Sequence, residues 1–169
     1  MVGVDYQDGG AAFEALVGLL NYPMFVVTTQ ADGERAGCLV GFATQVSIQP
    51  RRFLVGLSNK NHTFRVARNA EHLAVHVLSV RQQDLARLFG EQTGDEDDKF
   101  GQCAWRSGPH GLPILDDTAA WFSARILERL PLGDHVAFLL EPQAGQAPEE
   151  VGRLVTFSDV NHFDPGHPA

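Results

Sequence analysis

The dipeptide Asp32-Gly33 stands between two runs of strand-forming residues, 24–29 and 37–48, and runs this close together can pair only as an antiparallel hairpin. Pro50 closes the second run, and residues 52–57 read as a third strand with no helix before it. A parallel partner would need a crossover of a dozen or more residues, so this opening argues against βαβ winding. Further on, Leu73, Val75 and Val77 alternate with Ala74 and His76 over residues 72–78, the period of a half-buried strand. Residues 119–130 and 135–140 read as two strands joined across Pro131-Leu132-Gly133-Asp134, and 153–157 as a last short strand. Six or seven strands with two or three helices, none in strict alternation, predict a mainly β fold with flanking helices. The expected form is a small antiparallel barrel with helices over its ends.

The helices are marked by periodicity and caps. Phe13, Leu16, Val17 and Leu20 repeat at helical spacing over residues 10–20 and predict one buried stripe. A short helix is expected over residues 62–68 behind Asn61 as N-cap. Ser79-Val80-Arg81-Gln82 has the form of a capping box, with Leu85, Leu88 and Phe89 as the apolar face of a helix ending near Gly90. Residues 91–113 read as loop, and the run Asp95-Glu96-Asp97-Asp98 as solvated surface without chemistry.

At 169 residues the chain is expected to form a single domain, 1–169, with a sizeable core. A formal net charge of −8 argues against nucleic acid or an anionic membrane surface as partner. Cys38 and Cys103 form no spaced pair, which fits a reducing cytoplasm. No basic region leads into an apolar segment at the N-terminus, and no apolar run approaches ~18 residues, so neither secretion nor membrane spanning is expected. The seven histidines are scattered without metal-ligand spacing, so no metal site is expected. No G-x-G-x-x-G, Walker loop or G-x-S-x-G is present, which leaves no Rossmann, P-loop or nucleophile-elbow chemistry.

One segment stands apart in charge. Between Ala36 and Ala70 there is no carboxylate, while Arg51, Arg52, Lys60, Arg65 and Arg68 fall inside it. Ser58-Asn59-Lys60-Asn61-His62-Thr63 opens the short helix there, so hydroxyls, amides and a lysine could meet a phosphate together. The competing reading is a solvated basic face with an ordinary N-cap. His135, at the start of a strand, could point from a rim into a barrel mouth or be a surface residue.

These landmarks, in this order, resemble the flavin reductase-like family of FMN-binding split barrels, over residues 13–141. The resemblance is carried by residues 37–50 (GCLVGFATQVSIQP), the turn 58–63 (SNKNHT), the strand 72–79, Gly111-Leu112-Pro113-Ile114-Leu115 and Gly133-Asp134-His135. The end of the chain, Pro165-Gly166-His167-Pro168-Ala169, resembles a tail of some actinobacterial members. The resemblance implies an antiparallel split β-barrel that holds FMN, with FAD as the alternative, and takes hydride from NADH or NADPH. It implies that Ser58, Lys60, His62 and Thr63 hold the phosphate, with Asn59 and Asn61 supporting the turn. Val40, Gly41 and Phe42 would offer backbone groups to the flavin ring, Thr44 and Gln45 would contact the ring or ribityl chain, and His135 would be the catalytic residue, placing the nicotinamide or donating to the flavin. It further implies a homodimer, a small-molecule redox substrate and a possible partner monooxygenase. Two alternatives stay open: a flavoprotein that keeps FMN for electron transfer or sensing, and a pyridoxamine-phosphate-oxidase-like enzyme, for which only Arg51 and Arg52 are spare cations. Departures from the family pattern are Leu39-Val40-Gly41-Phe42 in a strand usually rich in hydroxyls, a single Pro50, and Leu140-Glu141-Pro142 after the GDH motif.

Overall fold

The computed structural model describes residues 5–166; His167, Pro168 and Ala169 of the C-terminal tail lie outside the described residues. Strands β1 (Phe25–Ala31) and β2 (Glu34–Val40) form the expected hairpin, Phe25 opposite Val40 and Ala31 opposite Glu34. Its two turn residues have positive φ, 53° at Asp32 and 79° at Gly33, as a two-residue turn matched to strand twist requires.

The run expected as one strand over 37–48 is two. It breaks at Gly41-Phe42, and β3 (Ala43–Ser47) pairs with β4 (Arg52–Ser58) instead of continuing β2. With β5 (His72–Val77), β8 (Ala120–Pro131) and β9 (His135–Gln146), these strands make a seven-stranded antiparallel sheet in the order β2-β1-β5-β8-β9-β4-β3. Strands β2 and β3 are therefore its two opposite edges, although only two residues separate them in sequence. Three peptide steps reach at most roughly 11 Å, so the sheet has to curl until its edges nearly meet. It is a barrel left open along one seam, the split barrel.

Two large clusters and a small one, Ala74 with Leu112 and Ile114, fill the structure. Phe25, Val27, Val55, Leu57, Leu73, Val75, Phe138 and Leu140 pack inside the barrel. Val26, on the other face of β1, and Met24 just before that strand pack outside the barrel with Leu78, Phe89, Leu115, Val155 and Val160. His76 is fully buried: its Nδ1–H donates to the Val26 carbonyl at 3.0 Å and its Nε2 accepts from the Leu115 amide at 3.1 Å. That pairing suits only a neutral ring, and burial lowers its pKa to about 4.

The capping box of Ser79 and Gln82 is present, but it caps a 3₁₀ turn, Val80–Gln82, that leads into α3 (Gln83–Glu91). The segment expected as loop over 91–113 contains a 3₁₀ turn at Lys99–Gly101 and β6 (Trp105–Ser107), which pairs with β7 (Pro113–Leu115). Residues 153–157 form no strand; they touch the sheet through single bridges, Ser79 to Leu154 and Pro23 to Thr156, and lead into α4 (Phe157–Val160). The apolar stripe of α1 (Gly9–Gly18) is not buried: Phe13 is 64% and Leu16 55% exposed, so nothing among the described residues covers it.

Candidate functional site: the seam of the barrel

The chain crosses the seam at Gly41-Phe42, and the crossing is pinned on both sides. The Ala43 amide donates to the Gly41 carbonyl at 3.0 Å, and the Gly56 amide of β4 to the Phe42 carbonyl at 2.7 Å. The chain bends here, and the two crossing residues address different surroundings. A Cβ at Gly41 would lie 2.6 Å from Cε2 of Tyr22, whereas the Phe42 side chain passes over Gly56, itself without room for a larger side chain. The Phe42 ring rests 4.9 Å from the His135 ring.

A second turn meets the first. Ser58, at the end of β4, pairs with His135, at the start of β9, and the Asn59 amide donates to the Asp134 carbonyl at 2.9 Å. The SNKN and GDH motifs, far apart in sequence, are thus one structural unit. Gly133 takes a φ of 129°, which favours glycine there. The Asp134 carboxylate engages Nδ1 of His135 at 2.7 Å, and this hydrogen bond holds the Asp134 carboxyl below its usual range. With Nδ1 committed, Nε2 is the nitrogen left for a ligand.

Between these turns lies a cavity of about 220 Å³. Of the residues expected at the site, Val40, Gly41, Phe42, Ser58, Asn61 and His135 line it. Lys60 stands exposed on the same turn, near enough for its charge to act on Asp134. Asn61 caps α2 (His62–Ala67) by accepting from the Thr63 amide at 2.8 Å. Thr63 is buried and its hydroxyl meets the Cys38 thiol, whose pKa burial raises. The amides of Asn59, Asn61 and Thr63 already donate within the chain, so this turn offers a ligand fewer backbone donors than its sequence suggests.

Other expected residues point elsewhere. His62 faces the acidic loop, with Nδ1 3.0 Å from Asp95 and Nε2 3.1 Å from Glu34. Thr44 and Gln45 lie exposed on edge strand β3 and bond to their own strand. The basic surplus is also partly spent: Arg52 pairs with Glu141 and Arg65 with Asp95. The sequence reading missed Tyr22, Met24 and Phe157, which form another wall of the cavity. Tyr22 and Phe157 stack at 5.1 Å with planes 18° apart, across a separation in sequence that no local pattern marks.

The flavin reductase like domain matches residues 17–163. The chain belongs to that family. Among its relatives, a probable flavin reductase of Rhizobium meliloti is 32% identical over 67% of this chain, and the FMN reductase (NADH) RutF of Bradyrhizobium diazoefficiens is 31% identical over 94% of it. The reductase component of a flavin-dependent trigonelline monooxygenase from Acinetobacter baylyi is 26% identical over 68%. This chain spans 83% of the Bradyrhizobium protein, but only 37% of the Rhizobium and 36% of the Acinetobacter one. A crystal structure of a flavin reductase domain protein from Arthrobacter superposes with a TM-score of 0.79 at 24% identity, covering 89% of this chain and 91% of that one. That likeness is one of fold. No helix among the described residues is long and apolar enough to cross a membrane.

Proposed function

We propose that this chain is an NADH- or NADPH-dependent flavin reductase that binds FMN in the seam of the split barrel. The observation that carries the reading is the seam itself: the end of edge strand β2, the crossing at Gly41-Phe42 and the end of β4 line an open cavity with aromatic walls, beside backbone groups of β2 that no neighbouring strand pairs. A flat ring with a polar edge fits such a cradle, with its edge toward the backbone of Val40, Gly41 and Phe42. Ser58 and Lys60, on the adjoining turn, suit the phosphate as a hydroxyl and a charge-assisted donor. Asn59, Asn61 and Thr63 act by holding that turn. On this reading His62, Thr44 and Gln45 contribute from the periphery, where His62 steadies the start of α2 against the acidic loop.

When bound, FMN supplies the capacity to accept hydride and pass the electrons on. The protein's part is to bind, orient and tune. Backbone donors at the crossing would favour negative charge on the ring edge, and His135, oriented by Asp134, would present Nε2 beside that ring. Likeness to an FMN reductase (NADH) and to the reductase component of a flavin-dependent monooxygenase supports NADH as donor and a partner monooxygenase as consumer of the reduced flavin. The uncovered apolar stripe of α1 supports a homodimer. A cytoplasmic location fits a reductase of nicotinamide nucleotides and the two free cysteines, Cys38 and Cys103.

The experiment is a titration with FMN followed by steady-state oxidation of NADH and NADPH. Saturable one-to-one binding with NADH oxidation that depends on added flavin is the expected result. Binding without turnover of either nucleotide would reject the reductase reading.

A further inference from the structure

Residues 153–160 lie outside the motifs that carry the family resemblance, yet they are fastened at many points. The Met24 amide donates to the Val155 carbonyl at 3.0 Å, the Val155 amide to Leu78 at 2.9 Å, and the Phe157 amide to the Tyr22 carbonyl at 2.9 Å. Asn21 grips the start of α4 twice, donating to the Thr156 hydroxyl at 3.1 Å and accepting from the Ser158 amide at 2.9 Å. Asp159 completes a capping box with Thr156 and takes two hydrogen bonds from Arg153, each 3.1 Å. Val155 and Val160 anchor the segment in the outer core.

None of these hydrogen bonds uses the side chain of residue 157. What stands there is a phenylalanine that remains 38% exposed, stacked on Tyr22 and lining the cavity. Burying aromatic carbon is favourable, so a large apolar ring held half in the open at a cavity wall is a surface waiting for a flat partner. Gly41 makes the arrangement possible, because any side chain there would displace the Tyr22 ring. Its missing Cβ therefore admits Tyr22 to the wall.

We propose that Tyr22 and Phe157 form an aromatic wall against which the flavin ring packs, so that the C-terminal segment 153–160 is part of the flavin site. This inference rests on the flavin reading above. Phe42 and His135 would then lie on the other side of the crossing, and the ring would meet aromatic carbon from a segment outside the family motifs.

Riboflavin and FMN share the ring and differ in the phosphate, so the pair separates a ring contact from a phosphate contact. Both are titrated into the wild-type protein, Phe157→Ala and Phe157→Tyr, following flavin fluorescence, with thermal unfolding to confirm that each variant is folded. Phe157→Ala is expected to weaken both flavins by the same factor, about five- to tenfold, the size of one lost aromatic contact. Phe157→Tyr is expected to restore both. Wild-type affinity for both flavins in Phe157→Ala overturns this inference alone, as does a loss confined to FMN. Absence of flavin binding by the wild-type protein overturns the proposed function with it.

Discussion

Replacing Gly41 with alanine probes how the seam is built. Gly41 is not among the residues with positive φ, so alanine should gain about 0.4–1 kcal/mol by restricting the unfolded chain. Against this, the new methyl would stand 2.6 Å from Cε2 of Tyr22 and 3.1 Å from Sδ of buried Met24. Overpacking of this kind costs about 1–3 kcal/mol, and turning the Tyr22 ring aside forfeits a stack with Phe157 worth about 0.5–1.5 kcal/mol. The sterics outweigh the entropy, and the expected net destabilisation is about 1–3 kcal/mol. Urea unfolding measures it as a fall in midpoint at constant slope. The double-mutant comparison isolates the cause: in a Tyr22→Ala background the nearer obstacle is gone and only the flexible Met24 thioether has to give, so Gly41→Ala should then cost under about 1 kcal/mol. An equal cost in both backgrounds, or none in the wild type, would refute the reasoning.

Other consequences are as direct. Burial keeps His76 neutral in the folded protein down to about pH 4, whereas the unfolded chain takes up a proton near 6.5. Its contribution is therefore fully present above pH 6.5 and is lost as pH falls toward 4, about 3 kcal/mol in all. Unfolding curves across that range should steepen in pH dependence for the wild type and flatten for His76→Gln; equal slopes would sink the assignment. Lys60→Ala should weaken FMN about tenfold and leave riboflavin unchanged by fluorescence titration, since a charge-assisted contact contributes about 1–2 kcal/mol. Phe13→Glu with Leu16→Glu, on the exposed stripe of α1, should convert a dimer to a monomer by light scattering without loss of folded signal.

The sheet was legible where its causes are local. The Asp32-Gly33 turn, the alternation over 72–78 and the caps at Asn61 and Ser79 each rest on neighbouring residues, and each was found. The break at Gly41-Phe42 was not legible, because residues 37–48 stay strand-like throughout and the change of partner is decided by the curl of the whole sheet. The apolar stripe of α1 has the periodicity of a buried helix; period reports that a face is apolar, not which molecule covers it. Residues 40–42, Ser58, Asn61 and His135, drawn from three separate motifs, line one cavity. His62 turns to Asp95 and Glu34 instead, carboxylates distant in sequence that a count of local charge could not include. Tyr22 and Phe157 lay beyond any motif, since only the tertiary fold stacks them.

The central claim is that this protein binds FMN in its seam and reduces it with a nicotinamide nucleotide. An anaerobic absorbance spectrum of the protein with FMN, taken before and after NADH or NADPH, tests both halves at once. The account predicts a perturbed, bound-flavin spectrum that bleaches within the time of a turnover. A flavin spectrum identical to that of free FMN, or a bound flavin that stays oxidised with both nucleotides, would contradict it.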